Sequence, residues 1–131
     1  MKQITLMMNK EDIGDTLKSL IKYRQDIMEK EDEFSERYRD SLSHTGYLLE
    51  VIKSQSIGGE LDDEVPVSFD IESYLNICDV LTYQVDELNK IIIKNLKVNN
   101  LEAVERYELE RESYKALYNK TNARRFEVLH V

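Results

Sequence analysis

Apolar residues in this chain recur in steps of three and four, a rhythm that restricts it to helices presenting one greasy stripe to a neighbour. Ile13, Leu17, Leu20, Ile27, Phe34, Tyr38, Leu48 and Ile52 share one heptad seam, which is skipped at Arg24, Glu31, Ser41 and Thr45. A second seam runs through Ile71, Tyr74, Cys78, Leu81, Val85, Leu88 and Ile92 without a gap. The spacing predicts a first helical segment over 10–54, a connector over 56–69, and a second helical hairpin over 70–95 and 101–125. If unbroken, the first segment would be about 67 Å long at about 1.5 Å per residue. Gly46 is the expected position of a kink or an early end.

Punctuation along the chain agrees with these limits. Asn9 followed by Asp12 has the form of a helix N-cap with an acidic residue at the third helical position. Asp70 caps the next helix in the same way, and Asn99-Asn100 forms a turn in which Asn100 caps the last one. Ser56-Ile57-Gly58-Gly59 offers two residues able to take left-handed dihedrals and so stops a helix. Two short stretches depart from the helical period. Ile4, Leu6 and Met8 alternate with Gln3, Thr5 and Met7, and Val65-Pro66-Val67-Ser68-Phe69 alternates around a proline suited to an edge strand. These two are expected to pair. Residues 125–129 read with either period, so the C-terminus is a continued helix or a third short strand.

With 131 residues, 41% of them hydrophobic, 34% charged, and only one Pro, the chain can build one helix-rich domain. The expected class is mainly α: a single domain over 1–131, an antiparallel bundle of three to four long helices with coiled-coil-like seams and a minor two- or three-stranded β element. Cys78 is the only cysteine, which excludes an intramolecular disulfide and points to a reducing cytoplasm. Its place on a seam reads as a small buried hydrophobe rather than a nucleophile. The first eight residues are too short an apolar stretch for a signal peptide, and no run reaches the length of a membrane span.

The net charge of −8 is unevenly distributed. Glu60, Asp62, Asp63, Glu64, Asp70 and Glu72 supply six negative charges against no positive ones, so most of the excess lies over residues 60–72, in the connector and the first turn after it. An acidic chain without a basic cluster is not expected to bind DNA directly. The acidic run lacks the glycine and terminal glutamate of an EF-hand, so it reads as a solvated loop able to dock on a basic protein surface, not as a metal site. No Gly-rich phosphate loop, paired-cysteine site or nucleophile turn occurs, and no cofactor is expected.

One motif carries catalytic chemistry. Arg39-Asp40-Ser41-Leu42-Ser43-His44 resembles the Arg, polar residue, three more, His pattern of HEPN ribonuclease domains, which are helical bundles that often dimerise. The resemblance implies metal-independent RNA cleavage, with Arg39 binding phosphate and His44 aiding proton transfer. The same residues also read as solvated charges on a helix face with His44 near a kink, and the spacing recurs from Arg125 to His130 with Phe126 in the polar position. Tyr107, Tyr114 and Tyr118 lie on neighbouring turns and form either packing or an interface stripe.

Together these features favour a non-catalytic helical interaction module that binds a protein partner through helix faces and the acidic loop, using Asp62, Asp63, Glu64, Tyr107, Tyr114 and Tyr118. Length and composition are like those of small bacterial or phage regulators and inhibitors, including those that block nucleic-acid-handling enzymes. Two alternatives stand beside this reading: the HEPN-like ribonuclease and a structural homo-oligomer. Self-association is expected in any case, because long seams present more apolar surface than one chain easily covers.

Overall fold

The computed structural model describes residues 3–30, 35–55 and 64–125. Among them the chain is mainly α, with four helices and one small antiparallel sheet, in the order β1 (Gln3–Met8), α1 (Lys10–Lys30), α2 (Glu36–Gln55), β2 (Val65–Asp70), α3 (Ile71–Lys97) and α4 (Leu101–Asn122). These fall into two compact units, Met1–Ile77 and Cys78–Val131.

In the first unit β1 and β2 pair antiparallel, with Ile4 opposite Phe69 and Leu6 opposite Val67. Those four side chains and Met8 are buried, while Gln3, Met7 and Pro66 are exposed on the other face. There Thr5 Oγ1 and Ser68 Oγ share a 2.9 Å hydrogen bond across the strands. The outer edge of β2 is closed by the last residue of α2. Gln55 Nε2 donates to the Ser68 carbonyl at 2.9 Å, and the Ser68 N–H donates to Gln55 Oε1 at 2.8 Å. The side-chain amide therefore takes the place of a third strand. Since Ser68 turns its backbone groups away from β1, Pro66 two residues earlier does the same, and its missing N–H costs the ladder nothing.

Helices α1 and α3 each begin with a side-chain cap. Asn9 and Asp12 satisfy each other reciprocally: the Asp12 N–H donates to Asn9 Oδ1 at 2.8 Å, and the Asn9 N–H to Asp12 Oδ2 at 3.1 Å. At the start of α3 the Ser73 N–H donates to Asp70 Oδ1 at 2.7 Å. Packed on one another, α1 and α2 contribute Ile13, Leu20, Ile27, Leu48, Leu49 and Ile52 to the core, and α3 adds Tyr74 and Ile77. Burying such a side chain contributes about 1.5–3 kcal/mol relative to leaving it in water. Asp26 is buried among them, with Lys22 Nζ 3.0 Å from its carboxylate.

The segment over 10–54 is thus two helices, and the break lies well before Gly46, which sits inside α2 with open space where a Cβ would be. At the start of α2 the Ser35 carbonyl accepts from the Arg39 N–H at 3.3 Å. Phe34 and the stretch expected to be helix or a third strand, Phe126 to His130, lie outside the described residues.

In the second unit α3 and α4 form a hairpin. Asn99 takes φ 56°, and two bonds close the helix end: Asn100 N–H to the Asn95 carbonyl at 2.9 Å and Asn99 N–H to the Leu96 carbonyl at 3.2 Å. This is the Schellman pattern. Asn100 then caps α4, its Oδ1 accepting from the Ala103 N–H at 3.3 Å. Buried on the two helices are Cys78, Val80, Leu81, Leu88 and Ile92, and Ala103, Val104, Tyr114 and Leu117.

Candidate functional site

Arg39 and His44 both lie on α2, which is unbroken between them. Five positions on a helix turn the side-chain direction by about 140°, so one protomer does not bring this pair to one face. His44 is half-buried and tied to the start of α3: Asn76 Nδ2 lies 2.9 Å from His44 Nε2 and donates a second bond to the Glu72 carbonyl at 3.0 Å. The Glu72 carbonyl sets the orientation of the Asn76 amide and turns its Nδ2 toward His44 Nε2. The Tyr47 ring is tilted against the imidazole at 6.4 Å between centroids. His44 works here as a tie between helices, and Arg39 is exposed elsewhere on α2.

Of the acidic connector, Asp62 and Asp63 lie outside the described residues, and Glu64 is exposed just before β2. Among the described residues no group of His, Cys, Asp and Glu side chains is gathered as metal ligands would be. The tyrosine stripe divides. Tyr114 is 3% exposed and belongs to the packing of the second unit, which takes it out of any surface a partner could touch. Tyr107 and Tyr118 are half-buried, with the Arg106 guanidinium 4.9 Å from the centroid of the Tyr107 ring. Cys78 is a fully buried free thiol.

A different surface emerges at the end of the α3–α4 hairpin. Ile93 is 52% exposed, Leu96 48%, Val98 70% and Leu101 65%, around a turn whose backbone groups are tied down by the bonds described above. Asn89 and Arg111 mark one side of the hairpin, joined by an Arg111 Nη1 to Asn89 Oδ1 bond of 3.0 Å. At about 100° per residue, Ile93 and Leu96 lie within about 40° of Asn89 around α3. By the same count Leu101 and Glu108 lie within about 80° of Arg111 around α4, turned outward in the same sense. One side of the hairpin end therefore carries apolar side chains from both helices. Charges line its borders: Lys90, Lys94 and Lys97 on α3, and Glu102, Glu105 and Glu108 on α4, all exposed.

The periodicity contained this signal. Beyond Ile92 the seam positions are Asn95 and Asn99, while the apolar residues Ile93, Leu96, Val98 and Leu101 stand off it. A stripe that turns polar while its flanks stay apolar marks side chains the fold itself does not bury.

No protein-family model matches the chain, and neither does any curated protein or solved structure.

Proposed function

We propose that the chain is a non-catalytic interaction module that binds a protein partner through the end of the α3–α4 hairpin. The observation that carries this reading is the exposure of Ile93, Leu96, Val98 and Leu101 on a turn held by its own hydrogen bonds. A loose loop exposes apolar groups by accident; a capped turn holds them out in fixed positions. Covering the four gains about 5 kcal/mol at the usual value for Leu and Ile, scaled to the half still exposed. Association costs at least about 4 kcal/mol in lost freedom, so the apolar group alone gives weak binding and the bordering charges must supply the rest.

The acidic residues Asp62, Asp63 and Glu64 add a second, separate element to the reading: negative charge for a basic protein surface other than the one that covers the hairpin end. No helix among the described residues is long and apolar enough to cross a membrane. We place the activity in the cytoplasm on the strength of the single buried thiol.

A photo-cross-linking side chain at position 98, introduced into the full chain in its own cells, tests this directly. The expected product is a discrete protein adduct that Leu96→Ser and Leu101→Ser abolish while helicity by circular dichroism is unchanged. Adducts to nucleic acid, or none at all, would contradict the reading. So would metal-independent RNA degradation by the purified chain that His44→Ala removes.

A further inference from the structure

We infer that the occupant of this surface is a second copy of the same chain, packed across a two-fold axis running along the hairpin so that α3 of each copy lies against α4 of the other. The inference rests on the interaction reading above and adds the identity of the partner. Its argument is the distribution of charge on the two borders.

Past Glu87, α3 carries only basic residues, Lys90, Lys94 and Lys97, and all three are exposed. Over its first three turns α4 carries Glu102, Glu105, Glu108, Glu110 and Glu112 against Arg106 and Arg111. Arg106 lies over the Tyr107 ring, Arg111 bonds Asn89 and pairs with Glu112 at 3.6 Å, and Lys90 pairs with Glu87 at 3.1 Å on its own helix, so the rows are compared by net charge. By net charge the α3 row is basic and the α4 row acidic, with Ile93 and Leu96 on the α3 side and Leu101 beside Glu108 on the α4 side. An anionic membrane or a nucleic acid meets the glutamate row with repulsion, and a basic protein meets the lysine row. A second copy turned by two-fold symmetry presents the same two rows in exchanged positions, so each row meets its opposite.

The register follows from the Asn89–Arg111 bond, which puts these two positions at one level of the hairpin. Counting outward from it toward the turn, Lys97 is level with the region of Glu102 and Glu105, and Lys90 with that of Glu108 and Glu112. Because the axis runs along the hairpin, those levels are kept between copies. Lys97 of one copy then faces Glu105 of the other, Lys90 faces Glu108 and Glu112, and Leu96 lies within a turn of Leu101, with Ile93 one turn further along. Each pairing occurs twice.

Sedimentation equilibrium on the full chain tests this, with charge exchange as the deciding variant. The wild-type chain is expected to dimerise, more weakly at high salt. Lys90→Glu with Lys97→Glu makes both borders acidic and weakens self-association by about tenfold or more, because every reversed pair is counted twice. Glu105→Lys with Glu108→Lys sets lysine against Lys97 and Lys90 and does the same. Mixed in equal amounts, the two variants are expected to form a one-to-one complex that neither forms alone, an outcome that misfolding cannot produce. Leu96→Ser, a substitution at an exposed position, is expected to weaken the wild-type dimer with helicity kept. A wild-type chain that stays monomeric, a dimer that all these variants leave intact, or a mixture that does not associate overturns the inference. In those cases an adduct from position 98 to a different protein leaves the interaction reading standing and rejects only the second copy. Binding to anionic vesicles or RNA rejects both.

Discussion

Replacing Gln55 with alanine removes the side chain that, among the described residues, closes the edge of β2. Two bonds go with it, from Gln55 Nε2 to the Ser68 carbonyl at 2.9 Å and from the Ser68 N–H to Gln55 Oε1 at 2.8 Å. A hydrogen bond of this kind contributes about 0.5–1.5 kcal/mol net. Both are exposed, so water takes over the strand's groups when the amide is gone, and the pair together is worth about 1 kcal/mol, at the low end of that range. Alanine is at least as good a helix former as glutamine, so α2 itself gains if anything. With unfolding entropy of about 2.1 cal/mol/K per residue over 131 residues, the loss lowers Tm by about 4 °C. Urea and thermal unfolding followed by circular dichroism measure both quantities. Gln55→Glu separates the two bonds, since a carboxylate accepts from the Ser68 N–H but has nothing to donate to its carbonyl; its cost falls between wild type and Gln55→Ala. A Gln55→Ala variant within about 0.3 kcal/mol of wild type would refute the view that this amide substitutes for a strand.

The remaining predictions concern the caps, the turn and the histidine. Asn9→Ala costs about 1 kcal/mol, and a double-mutant cycle with Asp12→Ala shows a coupling of about 0.5 kcal/mol or more, because each side chain bonds the other's backbone; additive losses would contradict this. At Asn99, whose φ is 56°, Asn99→Val destabilises by about 1–2 kcal/mol and Asn99→Gly is neutral or stabilising, read from urea midpoints; equal effects would argue against the left-handed turn. His44→Ala lowers stability by about 1 kcal/mol through the bond to Asn76, with Asn76→Ala giving nearly the same loss and little more in combination.

How far these features can be read from the chain itself depends on the range of the interactions that make them. The Asn9, Asp70 and Asn100 caps act within three residues, so residue type and spacing suffice to place them. The pairing of residues 3–8 with 65–70 is legible because both stretches leave the helical period at matching lengths, and period-two burial fixes which side faces in. Gly46 lies inside α2 with open space around it, so a glycine on the seam does not by itself mark where a helix ends. Tyr114 illustrates another limit: three tyrosines at helical spacing share a face, but the share of that face that is covered depends on what packs against it. The Gln55–Ser68 clamp joins residues 13 apart through an orientation that no periodicity encodes. His44 bonded to Asn76, 32 positions away, is of the same kind. At the hairpin end the apolar residues are visible in the sequence, but which of them stay uncovered depends on how α3 and α4 pack.

Hydrogen–deuterium exchange of the full chain, compared between dilute and concentrated samples, tests the central claim that the end of the α3–α4 hairpin is a surface built to be covered. The account predicts that amides of residues 90–112 exchange more slowly in the concentrated sample while those of β1 and α1 do not change. Protection elsewhere, or exchange at the hairpin end that is the same at every concentration and in the presence of any protein cross-linked from position 98, would contradict it.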